Sequence, residues 1–556
     1  MADKANKTSS VADTLLPLPK SEQTWNTWHY IALWISMDIG IPTYYLASGL
    51  LTGGMNLWQA LFTILLANLI IAIPIFLNGH AGAKYGIPSP IYWRATFGFD
   101  GATIPAIIRG VIAAGWFGIQ IWIGGSALNT VFCVLFSGWA DLSVGIWVCF
   151  GIFWLLNMFI LFKGMDFMKK FETIAAPFLV IWLVILLIWA YKNAGSWGPL
   201  VNQSGKFATF GAFMLFFIPA LTSNVGYWGG MTLTVTDLTR FSKGQKSHIA
   251  GMMIGLPSGI LMLATVGALV TSMTVIIFGE AIWDPVVLTG MVKSPLFVIG
   301  SMLFLMTATL TTNVAANAVT PANVISHVSN GRVNFKQAAI ILGVLAIIMR
   351  PWALIGDLSI YMDAFLVGGA AFLGPIAGLC ISHYYLISKT ELNLSAMYNR
   401  DEEYSYTRMS RYSKIFSIAH YVVAAVLLVI AFVGPSEWMN SRCSISVSVK
   451  ASMIAIAVFI AIVGLLLQRS AKKGGYNPIA MVSLTISILV VFSGLWIPGM
   501  HMIYDASWFV GTILSIVLYY FMMKFMDKQY VSDKAKVGAE MKEKRAEEKA
   551  AKKAGV

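Results

Sequence analysis

Fourteen apolar stretches divide this chain, and they leave it one kind of fold, a bundle of membrane-spanning helices. A spanning helix needs about 20 mostly apolar residues. Stretches of roughly that size lie at 28–51, 57–79, 101–136, 144–163, 170–192, 208–238, 249–279, 294–318, 335–355, 361–387, 414–434, 446–468, 477–498 and 506–526. Charged residues make up 11% of the 556, against about 25% in soluble domains. The mean hydropathy is +0.74. The expected fold class is an all-α polytopic membrane protein. Residues 1–27 are polar and lack the apolar core of a cleavable signal.

The net charge of +13 invites a nucleic-acid reading, and its distribution argues against one. Lys84, Arg94, Lys163, Lys169, Lys170, Arg240, Lys243, Lys246, Arg332 and Lys336 crowd one set of alternate loops. The opposite set holds only Lys192, Lys206, Lys293, Arg350 and Arg442. That bias predicts a plasma-membrane protein (the inner membrane, if bacterial) with both termini cytoplasmic. Cys133, Cys149, Cys380 and Cys443 are scattered and read as small apolar residues, not metal ligands or disulfides. The dispersed histidines show no metal-ligand spacing, and no Walker motif or nucleophile elbow is present. The sequence predicts neither an enzyme nor a cofactor.

Two apolar segments are interrupted near their middles, the first at Gly40-Ile41-Pro42 and the sixth at Gly226-Tyr227-Trp228-Gly229-Gly230. A break frees backbone groups where lipid offers no partner, so it survives only against protein or a cavity. Paired breaks in two related halves point to a transporter's binding site. Breaks in segments one and six fit a five-plus-five inverted repeat, with 28–192 as the first repeat and 208–387 as the second. A simple kink is the bland alternative.

Chemistry-bearing residues gather near these breaks. In segment three, Trp116 and Gln120 are spaced i,i+4 and share a helix face, offering a stacking platform and an amide. Gly115 and Gly118 allow close approach by a backbone or a ligand. Trp228, inside the second break with Tyr227 beside it, reads as a second wall or as a core anchor. In segment eight, Ala308, Thr311 and Thr312 share a face, and Asn313 and Asn317 are i,i+4. Two hydroxyls and a carbonyl from that helix, with carbonyls freed near Ser36 and Ile39, would suit sodium. Alternatively, the hydroxyls and amides bond back to the helices. Asp38, just before Gly40, could add charge near a cation, carry a proton, or cap freed N–H groups. Asp237 is expected to pair with Arg240 or another inner cation, and Arg109 to meet a carboxylate or headgroups.

Taken together, these stretches resemble the nucleobase–cation symporter family, whose members carry purines, pyrimidines, allantoin, hydantoins and some vitamins. The matching stretches are Gly79–Pro88, Arg94–Gly98, Gly115–Gln120, Thr311–Asn317, Gly374–Gly378 and Tyr504–Gly511. The resemblance implies a LeuT-type fold. It implies a planar heterocycle stacked between Trp116 and Trp228, with Gln120 and Asn317 bonding its edges and Tyr227 and Asn313 nearby. It places a sodium site at Ser36, Ile39, Ala308, Thr311 and Thr312. Gly40 stands where some members carry an amide, and Asp38 replaces a small apolar residue, so coupling to sodium or to a proton stays open. The family usually has twelve spans. Here 414–468 reads as an inserted helical hairpin, followed by two last helices at 477–526 and a charged tail at 527–556.

The reading is a secondary active importer of a planar heterocycle, coupled to sodium or protons and working by alternating access. Its expected partners are a small heterocycle and the lipid bilayer, without nucleic acid, and a monomer is the expected working unit. The rivals are a sodium-coupled amino-acid or amine carrier of the same fold, and a membrane-embedded enzyme or receptor.

Overall fold

The computed structural model describes residues 15–329, 332–355, 365–435 and 448–553, and its named elements are all helices. The first half contains α1 (Thr27–Asp38), α2 (Ile41–Thr52), α3 (Leu57–Tyr85), α4 (Ser89–Phe97), α5 (Thr103–Leu135), α6 (Gly145–Lys163) and α7 (Met165–Ala194). The second contains α8 (Phe210–Tyr227), α9 (Met231–Thr234), α10 (Thr236–Thr239), α11 (Gln245–Phe278), α12 (Pro285–Gly290) and α13 (Pro295–Thr312). It continues through α14 (Val319–Val328), α15 (Phe335–Ile348), α16 (Pro351–Leu354) and α17 (Gly368–Ile381). Helices at Ser410–Val433, Val449–Lys473, Pro478–Trp496, Ser507–Met526 and Lys528–Lys553 complete the chain.

Twelve helices among the described residues are long and apolar enough to cross a membrane. The two remaining expected spans take broken forms. Segment 28–51 is split into α1 and α2, each 12 residues long. Segment 335–355 is the 14-residue α15, turned at Arg350 (φ 52°) into α16. The tenth span was expected from 361, and its start lies outside the described residues. Pro295 to Ser326 form one continuous helical rod, because a wider π turn at Asn313–Ala318 joins α13 to α14 before Pro321.

Sequence chemistry sets the helix starts. Asn26 and His29, Asn56 and Gln59, and Asn334 and Gln337 form reciprocal capping boxes on α1, α3 and α15. A stripe of small residues places α1. On α11, a Cβ at Gly251, Gly255 or Gly259 would lie 2.3–2.8 Å from Tyr30, Trp34 and Asp38 respectively. Each glycine therefore lets one turn of α1 rest against the α11 backbone.

The segment 414–468 falls in two long helices, Ser410–Val433 and Val449–Lys473, packed along each other with Ser417 Oγ donating to the Gly464 carbonyl at 2.8 Å. Residues 436–447 between them, including Cys443 and Arg442, lie outside the described residues. This pair attaches to the 478–496 helix through His420 and Thr485 (3.0 Å) and through Trp496 and Ser452 (2.9 Å). The tail is helical, and its first turns are docked. Arg408 pairs with Asp527 at 2.8 Å, while Tyr530 and Lys534 reach Glu403 at 2.8 and 2.7 Å.

The turn 474–477 hooks the late helices onto the early ones. Asp100 and Gly101 N–H groups donate to the Gly475 carbonyl at 2.8 and 2.9 Å. Asn477 is fully buried, and its amide donates to the Thr96 carbonyl (2.8 Å) and Tyr519 hydroxyl (2.9 Å). Its carbonyl oxygen caps the next helix at Ile479 N. Replacing Asn477 by Ala strands several buried polar groups, at a cost of about 2–4 kcal/mol. Asn477→Ala should melt several degrees below the parent in detergent. Asn477→Asp keeps the cap but sets a buried carboxylate oxygen against the Thr96 carbonyl, so it should melt no higher than Asn477→Ala.

Candidate functional site

At the first break, the last carbonyls of α1 lose their usual i+4 donors. Pro42 has no N–H, so the Asp38 carbonyl turns to the Thr43 hydroxyl at 2.8 Å. The Ser36 carbonyl accepts from Thr311 Oγ1 at 3.0 Å and the Met37 carbonyl from Thr312 Oγ1 at 2.8 Å. Both hydroxyls also lie 2.9–3.0 Å from the Ala308 carbonyl. Ser36, Ala308, Thr311 and Thr312 are thus brought together, and Met37 supplies the carbonyl facing Thr312. Ile39 sits at the C-cap, with its N–H bonded back to Ile35. Oxygens about 3 Å apart could share a sodium ion at about 2.3–2.6 Å with small hydroxyl rotations, so the donor set fits a hard cation. A Cβ at Gly40 would stand 3.7 Å from Thr312 Oγ1, so that position borders the cluster.

Asp38 does not cap the break. It is fully buried, and its carboxylate faces the Trp228 indole without a well-formed hydrogen bond among the described residues. Its side chain packs at Gly259 on α11. Ser36 faces α7 instead, where its hydroxyl bonds the Glu172 carboxylate. The sequence reading passed over Glu172.

At the second break, α8 ends at Tyr227 and the chain resumes helix at Met231. The Gly229 and Gly230 carbonyls accept long i+3 bonds from the Thr232 and Leu233 N–H groups (3.3 and 3.2 Å) and are completed by the hydroxyls of Thr232 (2.6 Å) and Thr234 (3.1 Å), and Asn78 holds the Thr232 carbonyl at 2.8 Å. Arg109 supplies the rest. Its Nε donates to the Gly230 carbonyl at 3.2 Å and its Nη2 to the Ala316 carbonyl at 2.8 Å. This corrects the expectation of a carboxylate or headgroup partner. Ala316 belongs to the π turn, whose wider winding turns carbonyls away from their usual donors.

Arg109, Trp116 and Gln120 sit at i, i+7 and i+11 on α5, one stripe along about 16 Å of axis. With Tyr227, Trp228, Gly230, Met231, Thr312, Ala316 and Asn317 they enclose a cavity of about 20 Å³. That holds about one water, so the site must widen to admit a ring. Tyr227 meets Trp116 edge-on at 5.3 Å and Trp228 edge-on at 5.1 Å, and Trp34 meets the far side of Trp228 at 5.5 Å. Both amide atoms of Gln120 and Arg109 Nη1 are buried without hydrogen-bond partners among the described residues, while the Trp228 indole faces the Asp38 carboxylate. Asn317 reaches only Asn313, at 3.5 Å. Asn313 itself bonds the Phe117 carbonyl and Asn157, so it serves the helix contact. Gly115 and Gly118 admit Phe365 and the Ala346–Pro351 corner, not a ligand.

A second cavity of about 460 Å³ lies past the π turn, lined by Val314, Val319, Asn323, Asp237, Arg240, Met168 and Lys336 among others. Asp237 accepts hydrogen bonds from Ser89, Thr320 and Asn323, and Arg240 donates to the Leu16 carbonyl.

Two broken helices around a buried, hydrogen-bond-hungry cavity are the architecture of alternating-access carriers. Comparison with known proteins gives the same class. The family model described as "Permease for cytosine/purines, uracil, thiamine, allantoin" matches residues 17–460. The chain belongs to this permease family. The purine-uracil permease NCS1 of Arabidopsis thaliana is 36% identical over 76% of this chain and 70% of its own length. The allantoin permease of Bacillus subtilis (strain 168) is 31% identical over 92% of this chain and 93% of its own. Mhp1 in its inward-facing conformation superposes with a TM-score of 0.68 at 21% identity, covering 94% of this chain and 96% of that one. Mhp1 closed on bromovinylhydantoin gives 0.62 at 21% identity, covering 86% and 100%. The fold is LeuT-type.

A Cβ at Gly230 would stand 2.9 Å from the Arg109 guanidinium. Gly230→Ala should displace Arg109 and weaken ligand binding at least tenfold, read by tryptophan fluorescence titration of the purified protein.

Proposed function

We propose that this chain is a secondary active importer of a nucleobase or related planar heterocycle of the purine, pyrimidine, allantoin or hydantoin type, driven by a coupled cation. The observation that carries the reading is the set of buried polar atoms on Gln120 and Arg109 that find no partner among the described residues, at one cavity lined by both Trp116 and Trp228. Buried polar groups are normally paired, so such a cluster awaits a ligand. An amide-bearing ring would stack on Trp116 and Trp228, exchange hydrogen bonds with Gln120 and Asn317, and offer a carbonyl to Arg109. The names of the relatives, purine-uracil and allantoin permeases, support that substrate class.

Coupling would run through Thr312, which lines the cavity and also holds the Met37 carbonyl. A sodium ion shared by the α1 carbonyls and the Thr311–Thr312 hydroxyls would fix α1 against α13, and so fix one wall of the substrate site. Each ligand then favours the state that binds the other. The 460 Å³ cavity past the π turn would be the inner vestibule, which agrees with the lysine- and arginine-rich loops on that side and with cytoplasmic termini. The working unit would be a monomer in the plasma membrane.

Radiolabelled uptake into proteoliposomes, across uracil, cytosine, hypoxanthine, allantoin and hydantoins, tests the substrate class. At least one should accumulate against its gradient when sodium is imposed outside. Trp116→Ala and Asn317→Ala should each weaken binding about tenfold and together abolish it; retained binding in the double variant removes this site. Uptake indifferent to sodium and lost in Asp38→Asn would transfer the coupling to a proton.

A further inference from the structure

Glu172 is a buried ionisable residue that the substrate site does not explain. It lies on α7 and is 2% exposed. One carboxylate oxygen accepts the Ser36 hydroxyl, and the other, Oε1, has no hydrogen-bond partner among the described residues. Four ion pairs are found among the described residues, and none involves Glu172. An isolated buried carboxylate costs several kcal/mol, and a fold that keeps one needs something to offset it.

The position of Ser36 supplies the answer. Its carbonyl belongs to the oxygen cluster with Ala308, Thr311 and Thr312, and its hydroxyl touches Glu172. Every other oxygen in that cluster is neutral. A cation held by neutral oxygens alone leaves its full charge uncompensated inside the bilayer, where attraction to a nearby anion is strong. Ligand charge count is a main determinant of affinity in oxygen sites. Asp38 lies on the other face of α1, against α11, and bonds none of these oxygens.

We infer that Glu172 is the charged member of the cation site, its free Oε1 and its bond to Ser36 together neutralising a monovalent cation at the α1–α13 contact. The inference rests on the cation-coupled reading above. It makes α7 a third wall of that site, so cation binding ties α1 to two helices rather than one.

The test uses purified full-length protein in detergent without substrate. Its melting temperature is followed as sodium replaces choline at constant ionic strength, for the parent, Glu172→Gln, Glu172→Asp and Thr311→Ala. Glu172→Gln keeps the shape and removes the charge, so in choline it should melt at or above the parent. Its half-saturating sodium concentration should rise at least tenfold. Glu172→Asp keeps the charge and should retain a measurable sodium response. An unchanged titration in Glu172→Gln, with the response lost in Thr311→Ala, overturns the role of Glu172 and leaves the sodium site standing. A parent that shows no sodium response, while still binding a heterocycle, overturns the sodium reading and this inference with it.

Discussion

Everything in this structure depends on backbone groups that a broken helix sets free where no water can reach them. At the first break three carbonyls are taken by hydroxyls of Thr311, Thr312 and Thr43. At the second, Thr232, Thr234 and Arg109 take the carbonyls of Gly229 and Gly230. Because Thr311, Thr312 and Arg109 come from other helices, satisfying the backbone also assembles the site. Removing a donor therefore disturbs both packing and binding chemistry.

The two breaks face ionisable groups of opposite kind. Ser36, Met37 and Asp38 lie between two buried carboxylates, Glu172 on one side and Asp38's own on the other. Gly230 lies against a buried guanidinium. The first is an electron-rich place suited to a cation, and the second is electron-poor, suited to the carbonyl edge of a ring. Thr312, Asn317 and Gln120 line the cavity together with Tyr227 and Trp228, and the helix carrying Thr312 also packs on α1.

Much of this was legible in the sequence, for physical reasons. Long apolar runs show spans, and Gly40-Ile41-Pro42 and the glycines at 226–230 show breaks, because backbone chemistry alone forces them. The facing of Thr311 and Thr312 toward α1 follows from helical period. The π turn is not legible, since no residue type marks it, and it turns Asn313 away to Asn157 while leaving Asn317 at the cavity. Arg109 was placed wrongly because its partners are backbone carbonyls far along the chain. Glu172 stood near the end of a span expected at 170–192, where a charge needs no explanation. The helix begins at Met165, which carries Glu172 deeper. The rule that singled out Asp38, an ionisable residue at membrane depth, would have found it had that boundary been drawn earlier.

The single stripe on α5 has an evolutionary consequence. Arg109, Trp116 and Gln120 ride one unbroken 33-residue rod, so their spacing is fixed as marks on a ruler are fixed. No change in loop length can retune one without shifting all three. Divergence toward new cargo must then come from the opposite bank, where Tyr227 and Trp228 sit at a helix break and Asn317 in a widened turn, backbone that can be re-aimed one residue at a time.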